Sequence, residues 1–370
     1  MAAMIRSRLT DWTTLLPLIA VVVLAATWNR KLSGPLVILV AALLAGAVLA
    51  AVHHAEVVAH KVGEPLGSLV LAVAVTVIEV GLIVTLMISG GDKTQALARD
   101  TVFAAVMITC NGILGLSLLL GALRRRVAVF NPEGTGGALA TVATLATLSL
   151  VVPTFTTSRP GPEFSPAQLA FAAVASLALY GLFVMVQTGR HRDYFLPVTQ
   201  EGSIIPEDAD GDGHADPPST RTALASLALL VVALVAVVGD AKSVSPAIEA
   251  GVEAANLPQA FVGVVIALLV LLPETLAAAR AARRDRVQIS LNLALGSAMA
   301  SIGLTIPAIA LASIWLDGPL LLGLGGTQLT LLALTAVTGV LTVVPGRATV
   351  LQGGVHLVLL AAFVFLAASP

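Results

Sequence analysis

Charge is what this chain has least of. Only 11% of its 370 residues are Asp, Glu, Lys or Arg, where a soluble domain carries about a quarter. That scarcity excludes an ordinary water-soluble enzyme and a disordered chain. Lys plus Arg number 20 and Asp plus Glu 21. There is thus no basic surplus to hold phosphates, and a nucleic-acid partner is excluded. The single cysteine, Cys110, allows no intramolecular disulfide and no Cys-based zinc or redox site. No Gly-x-x-x-x-Gly-Lys-Ser/Thr run is present, so an ATP-driven pump has no nucleotide loop of that kind. The short alternating segments of a β-barrel are also missing.

What is present is apolar. Hydrophobic residues make up 57% and the mean hydropathy is +0.97. The reading is an all-α polytopic membrane protein with little mass outside the bilayer. A spanning helix needs about 20 mostly apolar residues. Eleven stretches qualify, near 12–29, 34–53, 65–89, 101–123, 137–156, 166–188, 221–239, 258–279, 288–314, 319–344 and 348–368. With these spans, Arg30, Lys31, Lys93, Arg99, Arg159 and Lys242 fall on one side and the other fourteen basic residues on the opposite side. The positive-inside rule then puts the N-terminus in the cytoplasm and the C-terminus outside. Arg6 and Arg8 before an apolar run give the first span some look of a signal peptide. Its length, and Trp28 with Arg30-Lys31 behind it, fit a retained helix better.

One segment, 189–220, is polar and holds Glu201, Glu207, Asp208, Asp210, Asp212 and Asp216. It divides the chain into a first helix (1–33), a five-helix unit (34–188), this acidic cytoplasmic loop (189–220) and a second five-helix unit (221–370). Two consecutive units with an odd number of spans must lie in opposite orientations, which is the inverted repeat of many secondary transporters.

Nineteen of the 21 acidic residues are expected in loops or at helix ends. Glu79 and Glu274 stand inside apolar spans instead. An ionised acid at mid-bilayer costs about 2.5–3.5 kcal/mol on insertion scales, so each is a functional candidate. Glu79 lies in the second span of the first unit and Glu274 in the second span of the second, each roughly 15 residues from its helix start. Because the units are inverted, both carboxylates are expected near the same depth. Two such carboxylates would make a hard-oxygen site for a divalent cation. Protons compete for the same oxygens, so the site can exchange one for the other. Helix packing with a hydrogen-bonded partner is the plainer reading of either Glu alone.

Pro273 precedes Glu274 and cannot donate a backbone hydrogen bond, which breaks the helix there. Asn111-Gly112 and Gly296-Ser297, inside the third spans of the two units, are further expected helix breaks. Thr109, Asn111, Ser297 and Ser301 offer neutral oxygens, against a reading of ordinary small-residue packing.

Gly63-Glu64-Pro65-Leu66-Gly67-Ser68 leading to Ile78-Glu79-Val80 resembles the bacterial ChaA-type calcium/proton antiporters of the cation/calcium exchanger superfamily. So do Leu272-Pro273-Glu274, Asn292-Leu293-Ala294-Leu295-Gly296-Ser297 and Ile302-Gly303-Leu304-Thr305-Ile306-Pro307. The resemblance runs over nearly the whole chain. It implies eleven helices, two inverted five-helix repeats and one acidic cation ligand and proton carrier per repeat, here Glu79 and Glu274. Two departures stand out. Val75-Thr76 and Leu271-Leu272 replace a Gly-Asn pair of many relatives, and Ala300 replaces a Gln. Both remove neutral oxygens, leaving Thr76 as a secondary ligand candidate and sodium or potassium exchange as the alternative to calcium.

Weaker signals complete the reading. Asp208-Ala209-Asp210-Gly211-Asp212-Gly213 starts like an EF-hand loop, but Ser219 stands where the bidentate Glu belongs. A solvated linker is expected. Glu64 and Asp100, at the starts of the third and fourth spans, are helix-capping acids or gate ligands. His60 reads as a surface residue and His356 as a buried, hydrogen-bonded one. The expected function is cation/proton antiport in a bacterial plasma membrane, with no enzymatic activity and no cofactor beyond the transported ions. A channel is the less favoured alternative, because pores use symmetric ligand rings.

Overall fold

A computed structural model describes residues 11–28, 30, 32, 34–63, 66–199, 203, 218–316 and 318–370. The described chain is almost wholly helical. The helices are α1 (Trp12–Thr27), α2 (Gly34–Val62) and α3 (Leu66–Gly90), then α4 (Leu97–Arg125), α5 (Pro132–Phe155), α6 (Pro166–Arg190) and α7 (Thr220–Ala254). After these come α8 (Phe261–Val270), α9 (Leu272–Arg283), α10 (Val287–Ala312), α11 (Gly326–Val343) and α12 (Val350–Ala368). Each stretch expected to span contains a helix, although 319–325 is non-helical and α11 begins only at Gly326. Among the described residues nine helices are long and apolar enough to cross a membrane, and a tenth crossing is made if the bent pair α8 and α9 counts as one. At 16 residues α1 falls short of a full span, so helix lengths do not by themselves establish eleven. Large apolar residues such as Ile38, Val174 and Phe171 stay on the helix surfaces, 72%, 69% and 67% exposed. In a multi-pass protein, lipid covers that surface.

Packing divides the chain into two compact units, and neither is a sequential half. One takes Met1–Thr94 with His214–Val262, the other Gln95–Gly213 with Gly263–Pro370.

In the first unit α7 packs on α1, α2 and α3. Glycine lets the helices approach closely. A Cβ on Gly81 of α3 would come 2.7 Å from Val238 Cγ2, and one on Gly239 would run into Leu24 Cδ2. His54 of α2 bonds through Nε2 to Thr13 O at 3.0 Å and fixes α1 to α2.

In the second unit α4 is the core helix, with 89% of its apolar window buried. It meets α12 at Gly115 and Gly353. A Cβ on Gly353 would lie 2.7 Å from Leu119 N. A two-residue antiparallel ladder pairs Ala128 with Ala348 and Val129 with Arg347. It clips the α4–α5 connection to the α11–α12 connection.

Three irregularities matter below. Ile108–Ile113 of α4 forms a π-turn, a widened stretch often found at functional sites. The α8–α9 pair bends by 54° at Leu271. The third lies in α10 and departs from the sequence reading. The helix is regular through Gly296-Ser297 and breaks at Leu304, between Val287–Gly303 and Thr305–Ala312. An interior glycine alone does not end a helix. Pro307, however, lacks the N–H that would close on Gly303 O.

Candidate cation-exchange site

Glu79 lies in the middle of α3 and is 2% exposed. Thr76 is one turn before it on the same face and is also buried. The Thr76 hydroxyl donates to Ala72 O at 2.8 Å, which holds its oxygen in a fixed place with lone pairs to spare. Both residues belong to the first unit.

Glu274 belongs to the second. It stands in the first turn of α9, three residues past the 54° bend at Leu271, and is half-buried. Pro273 occupies the opening of that helix, where its missing N–H costs least. Its absence frees the Leu269 carbonyl in the preceding segment. The amide ends of a half-helix attract negative charge, so the ionised Glu274 is favoured there. Thr275 donates its hydroxyl to Leu271 O at 2.7 Å and steadies the bend.

Within this unit α9 and α10 both pack on the π-turn of α4. Glu274, the Thr109–Asn111 stretch and the helix of Ser297 are thus neighbouring elements. Thr109 is fully buried and donates to Ala105 O at 2.7 Å.

A family model described as sodium/calcium exchanger protein matches residues 32–189 and 225–368. The chain belongs to the sodium/calcium exchanger protein family. It is 47% identical over 366 residues to the Sinorhizobium fredii protein named "Putative ionic transporter y4hA", covering 97% of this chain and 96% of that one. It is 34% identical over 363 residues to the sodium-potassium/proton antiporter ChaA of Escherichia coli, again covering 97% and 96%. The fold matches the crystal structure of the H⁺/Ca²⁺ exchanger CAX with a TM-score of 0.67, at 15% identity, over 96% of this chain and 91% of that one. The protein is therefore a membrane transporter of the cation/calcium exchanger group and not an enzyme.

In this exchanger the remaining candidates fall into distinct environments. Asn111 is fully buried, yet its amide is committed to the scaffold. Nδ2 donates to Thr335 Oγ1 at 2.9 Å and Oδ1 accepts from His356 Nδ1 at 3.0 Å. His356 Nε2 then accepts from the Thr342 hydroxyl at 3.1 Å, which fixes the tautomer with the proton on Nδ1. His356 is thus the buried, bonded histidine expected. Asp100 lies in the first turn of α4 and is ion-paired. Arg99 Nε donates to its Oδ1 at 2.8 Å and Gln328 Nε2 to the same oxygen at 3.4 Å. Gly263 leaves room for that turn, since a Cβ there would meet Asp100 C at 2.8 Å.

His60 is exposed. Glu64 and the acidic stretch Asp208–Gly213 lie outside the described residues. Ser219, at the place of the missing EF-hand glutamate, is the N-cap of α7 and accepts from Thr222 N at 3.2 Å.

One acidic residue contradicts the sequence reading. Asp240, expected just past the end of a 221–239 span, lies well inside α7 and is 0% exposed. The helix runs on to Ala254, fifteen residues past the expected end, because a charge at the edge of an apolar run does not stop a helix whose face is buried. The missed signal is the stripe Ala233, Ala236, Val237, Asp240, Ala241 and Val244, buried on one face throughout.

Proposed function

We propose that the protein exchanges a metal cation, calcium foremost, for protons across a bacterial plasma membrane, with its N-terminus in the cytoplasm, its C-terminus outside and the cation moving outward. Glu79 and Glu274 are the groups that hold metal and protons in turn. The observation that carries this reading is Glu79, a carboxylic acid 2% exposed at the centre of an apolar 25-residue helix. Such a group is costly in a membrane and marks an ion path. Its counterpart Glu274 stands at the opening of a half-helix, the place where transporters put ion ligands.

The exchange follows from competition. A carboxylate must be deprotonated to bind metal. Cytoplasmic cation displaces protons in the inward-facing state. Outside protons displace the cation in the outward-facing state. The proton gradient then drives the cation out, by rocking of one bundle about a fixed site.

Sodium or potassium exchange is the second reading. The 34% identical relative is a sodium-potassium/proton antiporter, and this chain has few neutral oxygens at the site, with the Asn111 amide engaged elsewhere. Proton flux in inside-out vesicles given Ca²⁺, Na⁺ and K⁺ in turn separates the two readings. The expected result is proton release with calcium and none with either Glu79→Gln or Glu274→Gln. Full activity of either variant rejects the site.

A further inference from the structure

At 35 residues, α7 is about 52 Å long at 1.5 Å per residue, and Asp240 sits well inside it. Its helical neighbours Ala236, Val237, Ala241 and Val244 are all 3% exposed or less. Neither Asp240 oxygen has a hydrogen-bond partner among the described residues, and none of their ion pairs includes it. Lys242, two residues on, is exposed and lies over the Trp28 ring, 5.3 Å from its centroid.

The helices packed on α7 bring no bonded counter-charge to Asp240. α1 carries no titratable group, α2 carries His53, His54, Glu56, His60 and Lys61, and α3 carries Glu79. No hydrogen bond or ion pair reaches Asp240 from any of them. A bare carboxylate in such surroundings is prohibitively costly. A metal would need about six oxygens. The stripe around Asp240 is alanine and valine, and the described residues hold no cluster of three or more His, Cys, Asp or Glu. A proton neutralises a carboxylate without further ligands. A leucine would fill the place at less cost, so packing does not account for the acid.

A cavity opens one helical turn away from the group. It holds about 480 Å³ and is lined by Thr27, Trp28, Arg30, Lys242, Ser243 and Pro246, among others. Ser243 is one helical turn from Asp240 and donates to Gly239 O at 3.1 Å. Pro246 has no N–H for the Lys242 carbonyl, which leaves that oxygen as an acceptor at the cavity wall.

We propose that Asp240 is a third exchangeable proton site of the transporter, loaded and unloaded through the cavity between Trp28 and Pro246. The proposal rests on the reading of the chain as a proton-coupled exchanger.

Dicyclohexylcarbodiimide tests it. The acid O–H adds across one C=N bond of the reagent, and an acyl shift from oxygen to nitrogen leaves a stable N-acylurea, with no oxidant or reductant. Wild-type protein in vesicles is labelled across a pH series, and peptide mass mapping reads Asp240, Glu79 and Glu274 separately. Asp240 is expected to be labelled at low pH, less so as pH rises, and to label more slowly in Ser243→Trp, which plugs the cavity. Asp240→Asn is expected to lower the number of protons moved per cation. An Asp240 that never labels, that labels equally at every pH, or whose Asn variant keeps wild-type coupling overturns the proposal. Absence of proton flux with all three cations would instead overturn the antiport reading, while the labelling still reports on Asp240.

Discussion

The two glutamates proposed to exchange the ions, Glu79 and Glu274, stand in spans that are built differently. The span of Glu79 is one unbroken helix, and its acid is 2% exposed. The span of Glu274 bends by 54° just before an acid that is only half-buried. An ionised carboxylate is tolerated in apolar surroundings when something replaces its water. At Glu274 the opening turn of α9 supplies backbone amides, at the cost of a broken helix. At Glu79 the backbone amides are spent within α3, so compensation must come from side chains or from the bound ion. Glu79 should thus be the stricter of the two about occupancy and side-chain length.

The strongest way to break this comparison is to shorten each acid. Glu79→Gln and Glu274→Gln are both expected to abolish exchange, so neutralisation does not distinguish the two. Glu79→Asp and Glu274→Asp do. In the rigid span, withdrawing the carboxylate by one methylene should lower turnover by about 100-fold, the scale of a 1 Å misplacement. Beside the bend, the loss should stay near tenfold, because the broken backbone can follow. Proton flux in vesicles reads both. Equal losses would show that the bend confers no tolerance.

The next variant makes the second span resemble the first. Pro273→Ala restores a donor for Leu269 O, an exchange that favours a continuous helix by about 3 kcal/mol in ordinary cases. Transport is expected to fall about tenfold while thermal stability stays level or rises. A slower transporter that melts earlier would argue that Pro273 supports the fold and not the site.

These outcomes also bear on how far the site was legible in the sequence. Apolar runs of about 20 residues need no tertiary knowledge to be read as helices, and each expected stretch contains one. The bend at Pro273 was legible because proline acts locally. Asp240 was not, because a charge at the edge of an apolar run looks the same whether the helix stops or continues into a bundle that buries it. Gly296-Ser297 looks like a break in sequence, yet α10 breaks at Leu304, where Pro307 withholds its N–H. The role of Asn111 depends on His356 and Thr335, more than 200 residues away, and long-range partners of that kind leave no local trace.

Asn111 supplies a smaller test, one that separates scaffold from site. His356→Leu leaves Asn111 Oδ1 buried without its donor, at an expected cost of about 1–3 kcal/mol. Removing both partners together in Asn111→Leu/His356→Leu should cost less than the sum of the two single variants, since each single change strands the other group. Thermal melting in detergent measures this. Cation preference should not move in either variant. A change from calcium to sodium preference would put Asn111 among the cation's ligands after all.

The smallest expected effect belongs to Ser219, and it tests the linker reading. As the N-cap of α7 it accepts from Thr222 N, and Ser219→Ala should cost about 1 kcal/mol, the usual loss for such a cap. Were the loop before it a calcium-binding hand, position 219 would be its bidentate ligand place. Ser219→Glu would then create calcium-dependent stability. Glutamate is a poorer cap than serine, because its longer side chain does not reach back to the same amides as readily. The expected result is therefore a slight loss of stability that calcium does not reverse, with transport unchanged in both variants. A melting point that rises with calcium only in Ser219→Glu would show that the acidic loop already holds most of a cation site.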